Sequence, residues 1–266
     1  MTMGCYPLSL RGHFLAGERP HFGPANPLWR YTPEYHEYAA RLAGLLSAGE
    51  PVVRDALYLP IRDTWAGGPA RERIARGHDE LAEALLANQT DFDVVDDDVL
   101  VSPEGGAARG RLTIGPMSYE TLWLPEVHWI SDEALETIAR FVRSGGRVNV
   151  VRSAESGGGE RKLLDLLDAR SRGRVRVLRS VGEAVKLASP LVRLDPKTPD
   201  IRVLVRRIGN DYAYFLTNEA LQERTFTLDL PHHGTPLQFD AWAGRIRALE
   251  TLAAPRGTTR VRLTLP

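Results

Sequence analysis

The sequence predicts an α/β domain with a parallel sheet flanked by helices, followed by a small all-β sandwich. Two observations carry this. From Thr32 to about residue 180, short apolar β-type runs alternate with amphipathic helical patterns, which is the grammar of a parallel sheet wrapped by helices. After Pro196 the helical periodicity stops, and short β-type segments follow one another between turn residues, as in an antiparallel sandwich. The two grammars meet at "LDPKTPD", residues 194–200, where two prolines and mixed charges mark a boundary. The expected organisation is an aromatic and Pro-rich connector over 1–31, an α/β domain over 32–193 and a β-sandwich domain over 194–266.

The connector ends in "HFGPANPLWRYTPEY", too aromatic for a solvated tail and too rich in proline for a helix or central strand. Thr32 then suits an N-cap and Pro33 the first helical position. Tyr35, Tyr38, Ala39, Leu42, Leu45 and Leu46 share one face before Gly49 ends the helix. "PVVRDALYLP" reads as an apolar strand, "RDTWAGGP" as a loop, and 70–88 as a long helix. "FDVVD" is expected as a buried strand, "RGRLTIG" as an edge-like strand and "YETLWLP" as another apolar strand. A helix over 131–144 directs Leu135, Ile138, Ala139 and Val142 inward, and "GGRVNVV" is the next strand. "SGGGE" reads as a flexible loop, "ERKLLDLLDA" as a helix and "RVRVL" as a short strand. "DIRVLVRRIG", "DYAYFLTNEA", "RTFTLDL", "TPLQFDAWAG", "RIRALETL" and "TTRVRLTLP" are the β-type segments of the sandwich.

Acids and bases balance at 34 each with no block of like charge, so no nucleic-acid or membrane partner is expected. The single cysteine, Cys5, excludes an internal disulfide and a cysteine-based metal site. With no apolar run of membrane-span length and no uninterrupted apolar stretch near the start, the chain as written is expected to be soluble and cytoplasmic.

An open α/β sheet takes its ligands beyond the carboxyl ends of its strands. There, Asp63 and Trp65 suit a sugar contact through a hydrogen bond and ring stacking, although a capping Asp and an interface Trp are the commoner roles of such residues. No GxGxxG follows a strand, and "GGPARER" lacks the Lys-Ser/Thr of a phosphate loop, so no cofactor is expected. After "YETLWLP", at the strand end where a nucleophilic thiol would sit on a sharp turn, stand Pro125, Glu126, Val127 and His128. His128 has no paired nucleophile in the sequence. Asp96, Asp97 and Asp98 lack the spaced ligands and central glycine of a calcium loop and read as a solvated turn with a capping Asp; no metal site and no catalytic residue is assigned. "HHG" at 232–234 reads as a turn.

"YPLSLRGH", "FGPANPLWRYTPEYHEYAARLAGLLSAGEPVVRDALYLP", "TWAGG", "FDVVDDDVL", "YETLWLP", "FVRSGGRVNVV", "YAYFLTNEA" and "LQFDAWAGRIRAL" occur in this order. Together they resemble the region following the catalytic barrel in large bacterial glycoside hydrolases of the family-106, alpha-L-rhamnosidase-like type. The resemblance implies a flavodoxin-like or amidotransferase-like parallel sheet and an accessory β-sandwich. It also implies that the acidic catalytic residues and calcium belong to a barrel without counterpart here, so that this chain does not turn over glycosides by itself. On that basis Asn26, Trp29 and Tyr31 are expected as interface anchors toward a barrel chain or a second copy. Asp63, Trp65, His128 and Trp129 are expected to contact carbohydrate. The alternatives are a stand-alone carbohydrate-binding module, using Trp65, Trp123, Trp129 or Trp242, and a small glycoside hydrolase using His128 with Asp63 or Glu126.

Overall fold

Short apolar runs bounded by turns pair into a five-stranded parallel sheet in the computed structural model, which describes residues 24, 26, 28–152 and 158–266. Across the sheet the strands run Phe92–Val95, Asp55–Tyr58, Thr121–Leu124, Arg147–Val151 and Val175–Leu178. Counted in chain order, that is 2-1-3-4-5. The chain therefore steps outward to Phe92–Val95, returns past its first strand, and continues in the other direction. The three central strands are the ones buried over most of their length, because helices cover both faces.

Each face has its own core. Helix Asp132–Ser144 lays Leu135, Ile138, Ala139, Phe141 and Val142 on one face, against Ala56, Leu122, Val148 and Val150. Ser131 caps it, accepting from the Ala134 amide at 3.2 Å, and Gly145 ends it with φ +116°, a conformation that an L side chain resists. On the other face, Leu81 and Leu85 of helix Arg71–Ala87 and Ala184 of helix Val181–Leu187 cover Leu57, Trp123, Val151 and Leu178.

The described residues form two compact units. The larger takes Glu50–Gly234 with Glu250–Pro266, and so joins the parallel sheet to a small three-stranded meander and to two further antiparallel sheets. In one of these, Ile201–Ile208 pairs with Asp211–Asn218 and with the two-residue strand Glu50–Pro51. In the other, the order is Arg193–Asp195, Arg224–Leu230, Thr259–Leu265 and Thr251–Leu252. Alternate side chains such as Ile201, Val203 and Val205, or Phe226 and Leu228, are buried, as period-two strands with one packed face require. The Gln89 amide, on a residue held at φ 54°, donates to the carbonyls of Thr198 (3.2 Å) and Ile201 (3.0 Å), tying the end of the long helix to the first antiparallel strand.

The smaller unit takes the described residues up to Gly49 with Thr235–Leu249. It holds helix Thr32–Ser47 and the hairpin of Leu237–Asp240 with Arg245–Ala248. Arg41 donates to the carbonyls of Ala241 and Trp242 at 3.2 and 3.0 Å, and the Tyr38 and Trp242 rings lie 5.3 Å apart. At the hairpin turn, Gly244 sits at φ +64° with the Arg41 guanidinium where a Cβ would point.

Several local expectations change. "RDTWAGGP" contains a short helix, Ile61–Ala66, because Pro60 and the buried Asp63 favour a turn of helix directly after the strand. Thr32 is the first helical residue, with its hydroxyl donating to the Trp29 carbonyl, and not the cap. "RGRLTIG" supplies the central strand of a small meander, Gly105–Ala108, Arg111–Ile114 and Met117–Tyr119, and is not an edge. Phe92–Val95, expected as a buried strand, lies at one edge of the parallel sheet, and only Val95 in it is fully buried. The glycines at 158 and 159 open helix Gly158–Asp165, where Gly159 is needed because a Cβ would meet Val127 at 2.8 Å. Helix Val181–Leu187 was not expected. Cys5 and most of the connector before Trp29 lie outside the described residues.

Candidate functional site

A sheet of order 2-1-3-4-5 opens a crevice at the carboxyl ends of the two strands where the winding reverses. Here these are Asp55–Tyr58 and Thr121–Leu124. The first runs into helix Ile61–Ala66, and the second runs into the turn Pro125–Ile130.

Asp63 joins the two. Its carboxylate is buried and accepts from the His128 amide (3.2 Å to each oxygen) and the Trp129 amide (3.2 Å). Burial raises its pKa; the bonds from the Trp129 and His128 amides pull it down by less. Asp63 is thus a pin between helix and turn, with no face left for a ligand. Two residues further along the same helix, Trp65 is 71% exposed, and Trp129 on the pinned turn is 61% exposed. Both rings are available for stacking.

The His128 ring turns away from Asp63. Its Nε2 lies 3.0 Å from Glu126 Oε1, and the same carboxylate receives Arg73 Nη2 at 2.7 Å. Glu126 is buried, so the Arg73 guanidinium supplies the charge that keeps it there. The three residues form a clamped acid–imidazole–guanidinium group in which the acid is already engaged from both sides.

The three successive acids separate into three roles. Asp96 caps helix Asp97–Val101 by accepting from the Val99 amide at 2.9 Å. Asp97, expected in a solvated turn, is buried: it accepts from the Tyr58 hydroxyl and from the Ser131 amide at 2.6 Å, with Arg62 Nε at 3.3 Å. Burial acts to raise its pKa, but the bonds from Ser131 and Tyr58 and the Arg62 charge outweigh that and hold it below the ordinary carboxylate value. Asp98 faces solvent, with Arg62 at 3.9 Å. Among the described residues, no cluster of three or more His, Cys, Asp or Glu side chains is placed to hold a metal ion.

Of the expected contact residues, the fold therefore brings Asp63, Trp65, His128 and Trp129 to one place, through the Asp63 pin. Trp123, also considered for stacking, is 1% exposed; it points into the sheet face and donates its indole N–H to Asp55 at 2.8 Å, so it cannot stack on a ligand. Trp242 is exposed but belongs to the smaller unit, against Tyr38. There too lie the expected anchors: Asn26 accepts from the Leu28 amide, while Trp29 and Tyr31, in one turn of 3-10 helix, are exposed. Arg73 escaped the sequence analysis, because nothing in "ARERIARG" indicates that one of its arginines faces a strand end 53 residues later.

No protein-family model matches the chain, and no curated protein matches it. Solved structures do. A rhamnosidase from Novosphingobium sp. PP1Y is similar at a TM-score of 0.60 and 18% identity, over 91% of this chain and 24% of that one. Gan42B, a GH42 beta-galactosidase, is similar at 0.57 and 12%, over 89% and 44%. Alpha-L-fucosidase isoenzyme 2 from Paenibacillus thiaminolyticus is similar at 0.54 and 12%, over 92% and 52%. The chain thus has a glycoside hydrolase-like fold, one that occurs as part of such enzymes, and spans from about a quarter to about half of the length of the structures it matches.

Proposed function

We propose that this chain is the non-catalytic accessory portion of a rhamnosidase-like glycoside hydrolase of the family-106 type, and that it contacts carbohydrate through Trp65 and Trp129. The observation that carries the proposal is the state of the crevice. The backbones that carry its two exposed rings are pinned together through Asp63, while Asp63, Asp97 and Glu126 are all committed to internal hydrogen bonds. Glycoside hydrolysis asks for two carboxyl groups facing one sugar from opposite sides. Stacking on exposed rings asks only for the rings.

Three further observations support parts of this reading. The strand order 2-1-3-4-5 is that of a flavodoxin-like sheet, and the turn after the third strand carries Glu126 and His128 where an amidotransferase-like domain places its thiol. The coverage of a quarter of the Novosphingobium rhamnosidase suits a portion that serves a larger enzyme. Exposed Trp29 and Tyr31 suit docking onto a barrel-bearing chain or a second copy.

The test is turnover and binding by the purified chain. No hydrolysis of an aryl alpha-L-rhamnoside is expected, with or without calcium, whereas rhamnosides are expected to quench tryptophan fluorescence saturably, and Trp65→Ala or Trp129→Ala to abolish that change. Turnover lost in Glu126→Gln or His128→Ala would overturn the accessory role; an unchanged binding curve in both tryptophan variants would overturn the contact site.

A further inference from the structure

The face of the parallel sheet that carries Trp123 is divided along its length. Toward the carboxyl ends it is apolar and covered by two helices, through Leu57, Val151 and Leu178. Toward the amino ends the same face presents Asp55, Thr121, Arg147, Asn149, Arg174 and Arg176, and here it borders a cavity of about 400 Å³. That volume lies in the range of small-molecule sites, roughly 300 to 1,000 Å³. The cavity is at the opposite end of the sheet from the tryptophan crevice.

Its lining is charged in one sense. Four arginines, with Arg54 added to the three on the sheet, stand against two acids, Asp55 and Glu120. Both acids are engaged: Asp55 accepts from the Trp123 indole at 2.8 Å, and Glu120 pairs with Arg111 at 2.9 Å and Arg147 at 3.3 Å. Arg54 donates to the Ser189 carbonyl at 3.3 Å. The guanidinium groups of Arg174 and Arg176, two residues apart on one face, make no hydrogen bond or ion pair to another described residue. Beside them in register is Asn149, which is 6% exposed and lines the cavity, yet its amide has no hydrogen-bond partner among the described residues. With no partner in the protein, that amide can both donate to and accept from a polar group bound in the cavity.

We propose that this cavity binds a small organic anion of about monosaccharide size, its carboxylate or phosphate held by Arg174 and Arg176 and its polar scaffold by the Asn149 amide. Paired guanidinium groups match either oxyanion, so carboxylate and phosphate share the chemistry. Leu187 supplies apolar wall on the same cavity.

Isothermal titration of the full chain at fixed ionic strength tests this, with glucuronate, glucose 6-phosphate, inorganic phosphate and glucose as probes. Saturable binding is expected for at least one of the two sugar anions, weaker by about tenfold for inorganic phosphate and absent for glucose. Arg174→Gln with Arg176→Gln is expected to weaken it by about tenfold or more, and Asn149→Ala to weaken the sugar anion more than phosphate. Arg176 is exposed, so Arg176→Gln alone keeps the test valid should the double variant or Asn149→Ala lose structure, judged by far-UV circular dichroism. No saturable binding of either sugar anion, or an affinity unchanged by Arg176→Gln, would overturn the proposal. Inorganic phosphate binding as tightly as both sugar anions would overturn the organic ligand.

Discussion

Asp63→Ala removes the acceptor of two part-buried backbone donors, the His128 and Trp129 amides, and its effect follows from the geometry. Each unsatisfied buried N–H costs about 1 to 3 kcal/mol, and the 3.2 Å contacts place each bond at the weaker end of charge-assisted ones. Burial raises the Asp63 pKa, so the ionised carboxylate also carries a desolvation cost that the alanine variant sheds. The net expectation is a loss of about 2 to 3 kcal/mol, or roughly 5 to 10 °C in Tm for a unit of this size. Asp63→Asn keeps a carbonyl oxygen toward the turn and also sheds the charge, so its cost is expected below about 1 kcal/mol. Urea unfolding followed by tryptophan fluorescence measures both, and hydrogen exchange at the His128 and Trp129 amides reports whether the loss is local. An alanine variant within about 0.5 kcal/mol of the parent, or an asparagine variant as unstable as alanine, would refute the pin.

Asp55 gives a pH signature: burial pushes its pKa from 3.8 up to about 6, against smaller opposing effects of the Trp123 indole, Arg54 and Arg147. With the folded value above the unfolded one, its contribution is full below about pH 4 and is lost as pH rises through 6, by about 3 kcal/mol. Asp55→Asn keeps an acceptor for Trp123 and is expected to flatten the urea-stability profile between pH 4 and 7; parallel profiles would contradict this assignment. Gly146→Ala would place a Cβ 2.1 Å from the ring of the fully buried Phe141, and a loss of about 1 to 3 kcal/mol or more in urea unfolding is expected. Trp242→Ala is expected to loosen the smaller unit through the Tyr38 contact, read as faster hydrogen exchange in helix Thr32–Ser47.

Much of the architecture follows from local pattern. Runs such as "DALY", "TLWL" and "VNVV" are apolar at all but one position because their strands are covered on both faces, and the 3.6-residue spacing of Leu135, Ile138 and Val142 needs no tertiary information to place a helix over them. The short helices Ile61–Ala66 and Val181–Leu187 were not legible, since six or seven residues are less than two turns and hold no periodicity of their own. Nor does composition distinguish Trp123 from Trp65 and Trp129: strand register turns the first inward onto Asp55, while the pinned turn and helix leave the other two in solvent.

The crevice was partly visible because Asp63, Trp65, His128 and Trp129 follow strand ends, where ligands gather in such sheets. That Asp63 faces the amides of His128 and Trp129, and Arg73 faces Glu126, depends on how segments about 50 to 70 residues apart are placed, which only packing decides. The arginine cavity had no local signal at all. Arg54, Arg147, Arg174 and Arg176 are scattered over more than a hundred residues of an arginine-rich chain. They converge because parallel pairing brings the amino ends of distant strands side by side, so the sequence determined the strands, and the order in which they pair decided which charges meet.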